Sequence, residues 1–274
     1  MSAKGLCLSI TLAAAFAASA TSAWAASCSN TASGFDQWKT EIRSDAIAAG
    51  IGERTVDRVL SSVSYSRATI RADRGQKSFK LTLDEFMRKR GSATIVSRGK
   101  KLKRQNAALF AAIEKRYGVP AGPLIAIWGM ESGFGSFMGK EHTLSAVATL
   151  SFDCRRSAFF TDQFMSALKL VDRGDLALNA KGAAHGEIGQ TQFLPKNVVL
   201  YGVDGDGNGH VDMVGSRADA LASTAAFLKG HGWRPGAGYQ PGQANYVAIQ
   251  GWNAAKVYQQ AIAIMGAEID GESQ

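Results

Sequence analysis

One carboxyl stands out by its neighbours. Glu131 closes the run Leu124-Ile125-Ala126-Ile127-Trp128-Gly129-Met130, which holds no other ionisable group, and it is followed by Gly133, Gly135 and Gly139. Desolvation at the end of such a run disfavours the anion, so the acid form persists toward neutral pH, as a general acid for a glycosidic oxygen requires. The glycines beside it let a polymer approach the backbone. The competing reading is a helix-terminal residue turned to water or paired with an arginine, and residue pattern alone does not choose.

A second constellation is Gly186-Glu187-Ile188-Gly189-Gln190-Thr191-Gln192-Phe193-Leu194-Pro195. Its amides suit hydroxyl and acetamido groups and its aromatic suits a sugar ring, although a Gly-rich loop leading into a helix reads the same way. A third is Asp204-Gly205-Asp206-Gly207-Asn208-Gly209-His210-Val211-Asp212, with oxygen ligands at positions 1, 3, 5 and 9 of an EF-hand loop and glycine at position 6. The candidate ligand set is Asp204, Asp206, Asn208 and His210. Position 12 is Gly215, so the bidentate carboxylate is missing. A weak, water-completed calcium loop and an Asp/Gly turn satisfied by its own hydrogen bonds both fit.

These residues need elements to position them, and the helical period is nearly everywhere. Residues 35–49 and 53–63 read as helices meeting at Gly50-Ile51-Gly52. The spacing of Leu102, Leu109 and Ile113 predicts one long basic helix over 93–117, stopped by Gly118 and Pro120; Pro123 then starts the apolar helix that carries Glu131. Residues 160–171 are amphipathic, Ser216-Arg217-Ala218-Asp219 resembles a capping box ahead of another helix, and 246–265 is a last helical pattern broken near Gly251. No period-2 strand is evident. The expected class is mostly α.

Composition bounds the rest. With 274 residues, 46% apolar and 20% charged, the chain can bury a core and fold as one or two domains, which excludes general disorder. Past the N-terminus no run of 18 apolar residues occurs, so an integral membrane protein is excluded. Lys4, the apolar stretch 6–20 and Ala23-Trp24-Ala25 read as a cleavable signal peptide over 1–25. Its removal takes Cys7 and leaves Cys28 and Cys154 in an oxidising compartment, where a disulfide worth roughly 4 to 5 kcal/mol by chain entropy is the economical reading. The alternatives are a lipid anchor on Cys28 beside a free Cys154, or two unpaired thiols; against the anchor, Ala25 occupies the place where lipidated chains usually have Leu. Charge is uneven: residues 67–116 hold fifteen Lys or Arg against four Asp or Glu, while the whole chain is +8. Export argues against nucleic acid as the partner and toward anionic polymers of the envelope, among them peptidoglycan with its stem carboxylates.

Taken in order, these residues carry a resemblance. Tyr117-Gly118-Val119-Pro120, Glu131-Ser132, Met138-Gly139-Lys140, Ala148-Thr149-Leu150-Ser151-Phe152, Arg155-Arg156, Gly189 through Pro195, the Asp204 loop and His231-Gly232-Trp233 resemble lytic murein transglycosylases of the B family over residues 35–265. The resemblance implies a lysozyme-like α-lobe with a small inserted subdomain carrying an EF-hand-like loop at about 204–215, a catalytic domain over 26–265 and a tail over 266–274. It implies Glu131 as sole acid/base, with Ser132, Gln192, Phe193, Trp252, Asn253 and Tyr258 along the glycan cleft and Arg155 and Arg156 toward the peptide stem. It implies no required cofactor, a structural calcium at most, a periplasmic site of action, and peptidoglycan strands, with other cell-wall enzymes, as partners.

The chain departs from the family pattern in four places. Trp252 and Phe159 stand where relatives have Tyr, Ala183 replaces a Ser near the catalytic carboxyl, and Glu187 replaces a small residue, either taking over an orienting role or lying at the surface. A retaining glycosidase normally uses two carboxylates. One suffices when the substrate's N-acetyl group attacks its own anomeric carbon and the C6 hydroxyl then closes a 1,6-anhydro ring. The other readings are a lysozyme-type hydrolase with Glu187 or Asp153 activating water, and a non-catalytic peptidoglycan-binding protein.

Overall fold

A helix that is apolar on every side is stable in water only when covered on every side, and that requirement organises the molecule. The computed structural model describes residues 27–75 and 81–271. The expected signal peptide therefore lies outside the described residues. In chain order the helices are α1 (Phe35–Ala48), α2 (Glu53–Ser62), α3 (Arg67–Arg74), α4 (Leu83–Arg90), α5 (Ser92–Gln105), α6 (Ala107–Tyr117) and α7 (Ala121–Ser132). Strand β1 (Glu141–His142), α8 (Thr143–Phe152), α9 (Ser157–Arg173), strand β2 (Lys181–Gly182), α10 (Pro195–Tyr201), α11 (Arg217–Gly230), α12 (Tyr246–Trp252) and α13 (Lys256–Asp270) follow. The two strands pair antiparallel, with Glu141 opposite Gly182.

The apolar helix is α7, and every residue from Ala121 to Met130 is buried. Pro123 sits in its first turn, where the backbone N–H it lacks has no intrahelical acceptor. Gly133 ends it in the left-handed region, at φ 56°, with the Gly133 and Phe134 N–H groups returning to the carbonyls of Gly129 and Trp128. Its cover is α13, α5, α6 and α11. Burying Leu124, Ile125 and Ile127 contributes roughly 1.5 to 3 kcal/mol each. Gly122 lets α7 meet α13, because a Cβ there would collide with the Gly266 carbonyl oxygen. Asp270, at the end of α13, accepts from the Gly122 N–H at 2.9 Å, pairs with Lys103 at 2.7 Å and accepts from the Tyr239 hydroxyl.

Three expectations change. The single helix over 93–117 is two, parted at Asn106, whose side chain donates to the Leu102 carbonyl and accepts from Arg217 of α11. That amide competes for backbone groups and is pinned by a distant helix, a constraint local periodicity does not carry. The last helical pattern breaks at Asn253, and the tail expected from 266 starts later, because Gly266, Ala267 and Ile269 are buried and α13 runs through Asp270.

Cys28 and Cys154 form a disulfide, with Cα atoms 5.0 Å apart. The Ser29 N–H donates to the Phe152 carbonyl and lays the N-terminal segment along the end of α8. A sulfur in this bridge is not available for a lipid, which removes the reading of an anchor on Cys28. Replacing both cysteines by serine is expected to lower unfolding free energy by about 2 to 5 kcal/mol. Urea titration checks it: wild type with reductant falls to the same midpoint as the double variant, and an unchanged midpoint contradicts it.

Candidate active site

The C-terminal end of α7, the loop after β2 and the α12–α13 junction meet at a cleft of about 310 Å³. Glu131, Glu187, Gln192, Phe193, Trp252 and Asn253 line it, with Leu194, Asn197 and Phe227. Glu131 receives two donors on one oxygen: the Tyr258 hydroxyl donates to Oε1 at 2.7 Å and the Trp252 indole N–H at 3.0 Å. Oε2 accepts no hydrogen bond among the described residues and is the oxygen left to carry a proton. Burial pushes the Glu131 carboxyl up; the donors from Tyr258 and Trp252 and the Arg90 guanidinium oppose this, Glu187 adds to it, and the net direction is up. Burial, with Glu131 beside it, holds the Tyr258 hydroxyl well above its ordinary range, so it remains a donor.

Gln192 holds a strained backbone, φ 54°, and its amide nitrogen donates to the carbonyls of Gly189 at 2.7 Å and Met138 at 3.3 Å. With both amide hydrogens committed, the carbonyl oxygen is the group it offers to a ligand. Asn253 shows the opposite polarity: its Oδ1 accepts from the Ala255 N–H at 2.9 Å, leaving its amide nitrogen as donor. Gly139, at φ 95°, lets the loop after α7 close on β2, since a Cβ would collide with Gly182.

Other expected site residues lie elsewhere. Ser132 is buried beneath the cleft, donating to the Gln190 carbonyl and accepting from the Gly135 N–H. Phe193 is almost fully buried, its ring against Trp252 and Phe227, so it chiefly supports the indole. Arg155 and Arg156, both half-exposed, grip the buried carboxylate of Asp73. Asp153 pairs with Arg74 at 2.7 Å and is absent from the cleft lining, so it does not serve as a water-activating base there.

The Asp204 loop joins α10 to α11 and is held largely by hydrogen bonds from its own backbone. Asp204 accepts from the Gly207, Asn208 and Gly209 N–H groups, which lower its pKa. The Asn208 side chain accepts from the His210 N–H, and the exposed His210 ring faces Asp175 at 3.7 Å. The carboxylates that converge are Asp204, Asp206 and Asp219, with oxygens within 4.8 Å of one another. Asp219 looked like half of a capping box. Ser216 does accept its N–H, but its carboxylate turns to the Gly205, Asp206 and Asp212 N–H groups. Asp73 and His185 were also missed: Asp73 lies in a basic run, and only the His185-x-Glu187 spacing hinted at a pair.

The sequence model of the transglycosylase SLT domain matches residues 34–243. The chain belongs to this transglycosylase family. The membrane-bound lytic murein transglycosylase B of Escherichia coli K12 is 39% identical over 122 residues, a stretch covering 44% of this chain and 34% of that protein. The aligned stretch thus spans about a third of that relative. SltB3 from Pseudomonas aeruginosa, solved in complex with NAG-anhNAM-pentapeptide, has a TM-score of 0.81 and 28% identity over 88% of this chain and 80% of its own. The Escherichia coli transglycosylase Slt35, solved in complex with calcium, shares the fold, with a TM-score of 0.72 and 24% identity over 85% and 92%. The mostly helical, lysozyme-like architecture is the one the resemblance implied.

In this member of the transglycosylase family, the indole of Trp252 donates a hydrogen bond to the cleft carboxyl while its ring packs on Phe193 and Phe227. Tyr258→Phe removes a donor that stabilises the Glu131 anion. The carboxyl is expected to titrate at higher pH, moving the alkaline limb of activity upward, with rate at its optimum falling about tenfold through lost orientation. A pH–rate series checks this; a downward move contradicts it.

Proposed function

We propose that this protein is a peptidoglycan lytic transglycosylase, cleaving the MurNAc-β-1,4-GlcNAc bond of glycan strands without water and leaving 1,6-anhydromuramic acid ends. The observation that carries the reading is the single carboxyl of Glu131, biased toward its acid form and bonded through one oxygen. Its Oε2 proton passes to the glycosidic oxygen as the C1–O bond breaks, while the acetamido oxygen of muramic acid bonds C1. The Glu131 carboxylate then takes the proton of the C6 hydroxyl; O6 bonds C1 and the acetamido oxygen leaves. The acid form is regenerated and no water enters.

The Gln192 carbonyl oxygen and the Asn253 amide nitrogen are the acceptor and donor available to acetamido and hydroxyl groups. Arg155 and Arg156, two half-exposed cations on one buried carboxylate, leave net positive charge for stem-peptide carboxylates. The working place is the periplasm, and among the described residues no helix is long and apolar enough to cross a membrane.

Digestion of purified peptidoglycan, with mass spectrometry of released fragments, tests the reading. Products one water lighter at muramic acid are expected, with release falling by at least about 10³ in Glu131→Gln. Reducing-end muramic acid instead means a hydrolase, and no release with the sacculus still bound means a binding protein.

Hard carboxylate oxygens at this separation suit calcium, which takes oxygen ligands at about 2.3 to 2.6 Å. Asp204, Asp206 and Asp219 would hold it, tying the α10–α11 loop in place without touching the reaction. Calcium at 100 times its dissociation constant is expected to stabilise by about 2.7 kcal/mol, or several degrees in Tm. Asp219→Asn abolishes the shift; calorimetry showing no shift in wild type counts against the site.

A further inference from the structure

The cleft holds a second carboxylate, and its backing is unlike that of a surface residue. Glu187 lines the same cavity as Glu131. The His185 N–H donates to its Oε2 at 2.9 Å, and the His185 ring nitrogen Nδ1 lies 3.1 Å from Oε1. An ionised carboxylate only accepts, so Nδ1 carries the hydrogen in this pair. The other ring nitrogen, Nε2, is buried without a hydrogen-bond partner and faces Asp73 Oδ1 at 3.7 Å. Asp73 in turn is held by Arg155 and Arg156. A relay of charge and ring nitrogen thus runs from two half-exposed guanidinium groups, through Asp73 and His185, to a carboxylate lining the cleft. The Ala183 N–H donates to the Glu187 carbonyl and fixes the backbone beneath it.

The two cleft carboxyls are driven apart. Burial raises Glu187, but the hydrogen bonds and charge of His185 outweigh it and the net direction is down, whereas Glu131 goes up. Carboxyls held apart in this way take different roles in one reaction.

We propose that Glu187 is the electrostatic partner of the reacting sugar, its carboxylate accepting the N–H of the 2-acetamido group and stabilising the positive charge of the oxazolinium-type intermediate, with His185 and Asp73 as positioning residues. This rests on the transglycosylase reading above. Glu187 exchanges no proton: Glu131 gives one to the leaving oxygen and takes one from the C6 hydroxyl. The cation formed when the acetamido oxygen bonds C1 is neutralised when O6 displaces it. A fixed anion interacts far more strongly with that charge in the intermediate and its transition states than with the neutral acetamido group, so its loss falls chiefly on kcat.

The test compares wild type, Glu187→Gln, His185→Gln and Glu131→Gln on peptidoglycan fragments, reading kcat, KM, product mass and pH profile, with Tm confirming that each is folded. Around Glu131 the groups to track are Arg90, Tyr258, Trp252 and Glu187; around Glu187, His185 backed by Asp73, Arg155 and Arg156. Glu187→Gln is expected to lower kcat by about 10² to 10³ with KM little changed and anhydro products retained. Its alkaline limb moves down, because Glu131 loses a like-charged neighbour. His185→Gln moves the acid limb up, because Glu187 then takes a proton more easily, an effect that loss of packing alone does not produce.

Unchanged kcat and limbs in Glu187→Gln, with anhydro products still forming, overturn this inference and leave the transglycosylase reading intact. Hydrated products from wild type overturn that reading, and this inference with it. Should Glu187→Gln fail to fold, the acid limb of His185→Gln decides: an upward move supports the role and a fixed limb overturns it.

Discussion

The structure depends on one carboxyl held where a wholly apolar helix ends at the cleft. Glu131 ends a helix buried along nearly its whole length, so ionising it means placing charge against low-dielectric surroundings. Two donors on Oε1 moderate that cost without removing it, and they leave Oε2 without a hydrogen bond among the described residues. A carboxyl with no donors would be protonated but loosely oriented; one with donors on both oxygens would be anchored but ionised. The arrangement lies between, as the proposed role of first giving a proton and then taking one requires.

Positioning that carboxyl is a long-range task. Its donors come from α12 and α13, over a hundred residues away in sequence, and α13 is held against α7 by the Gly122–Gly266 approach and the Asp270 cap. The opposite wall comes from the loop after β2, whose glycines allow close backbone contacts and whose Gln192 adopts a strained φ. The disulfide and the Asp73 pairs tie the N-terminal helices to the turn between α8 and α9. The glycine contacts, the disulfide and the Asp73 pairs thereby fix the elements that form the cleft walls.

The arginines show how one pair of side chains can serve a buried partner and still present charge outward. Two adjacent guanidinium groups read as a stem-peptide contact, and in the fold both grip Asp73, which also faces His185. The geometry couples an outward-facing positive patch to a cleft carboxylate through a single buried aspartate.

The sequence by itself determined the class and singled out Glu131 as the candidate carboxyl, without choosing between an acid/base role and a helix-terminal one. Helical periodicity survives any tertiary arrangement, and an acid at the end of an apolar run is desolvated wherever that run is buried. It also offered Cys28 and Cys154 as the economical pair, and the fold bonds them. What required the tertiary structure was every contact set by a partner distant in the chain: the Trp252 and Tyr258 donors on one oxygen of Glu131, the break at Asn106, the convergence of Asp219 on Asp204 and Asp206, and the His185 backing of Glu187 by Asp73. Side-chain hydrogen bonds and charge pairing act across a few ångströms of space, and no spacing along the chain encodes which distant residues folding brings within that range.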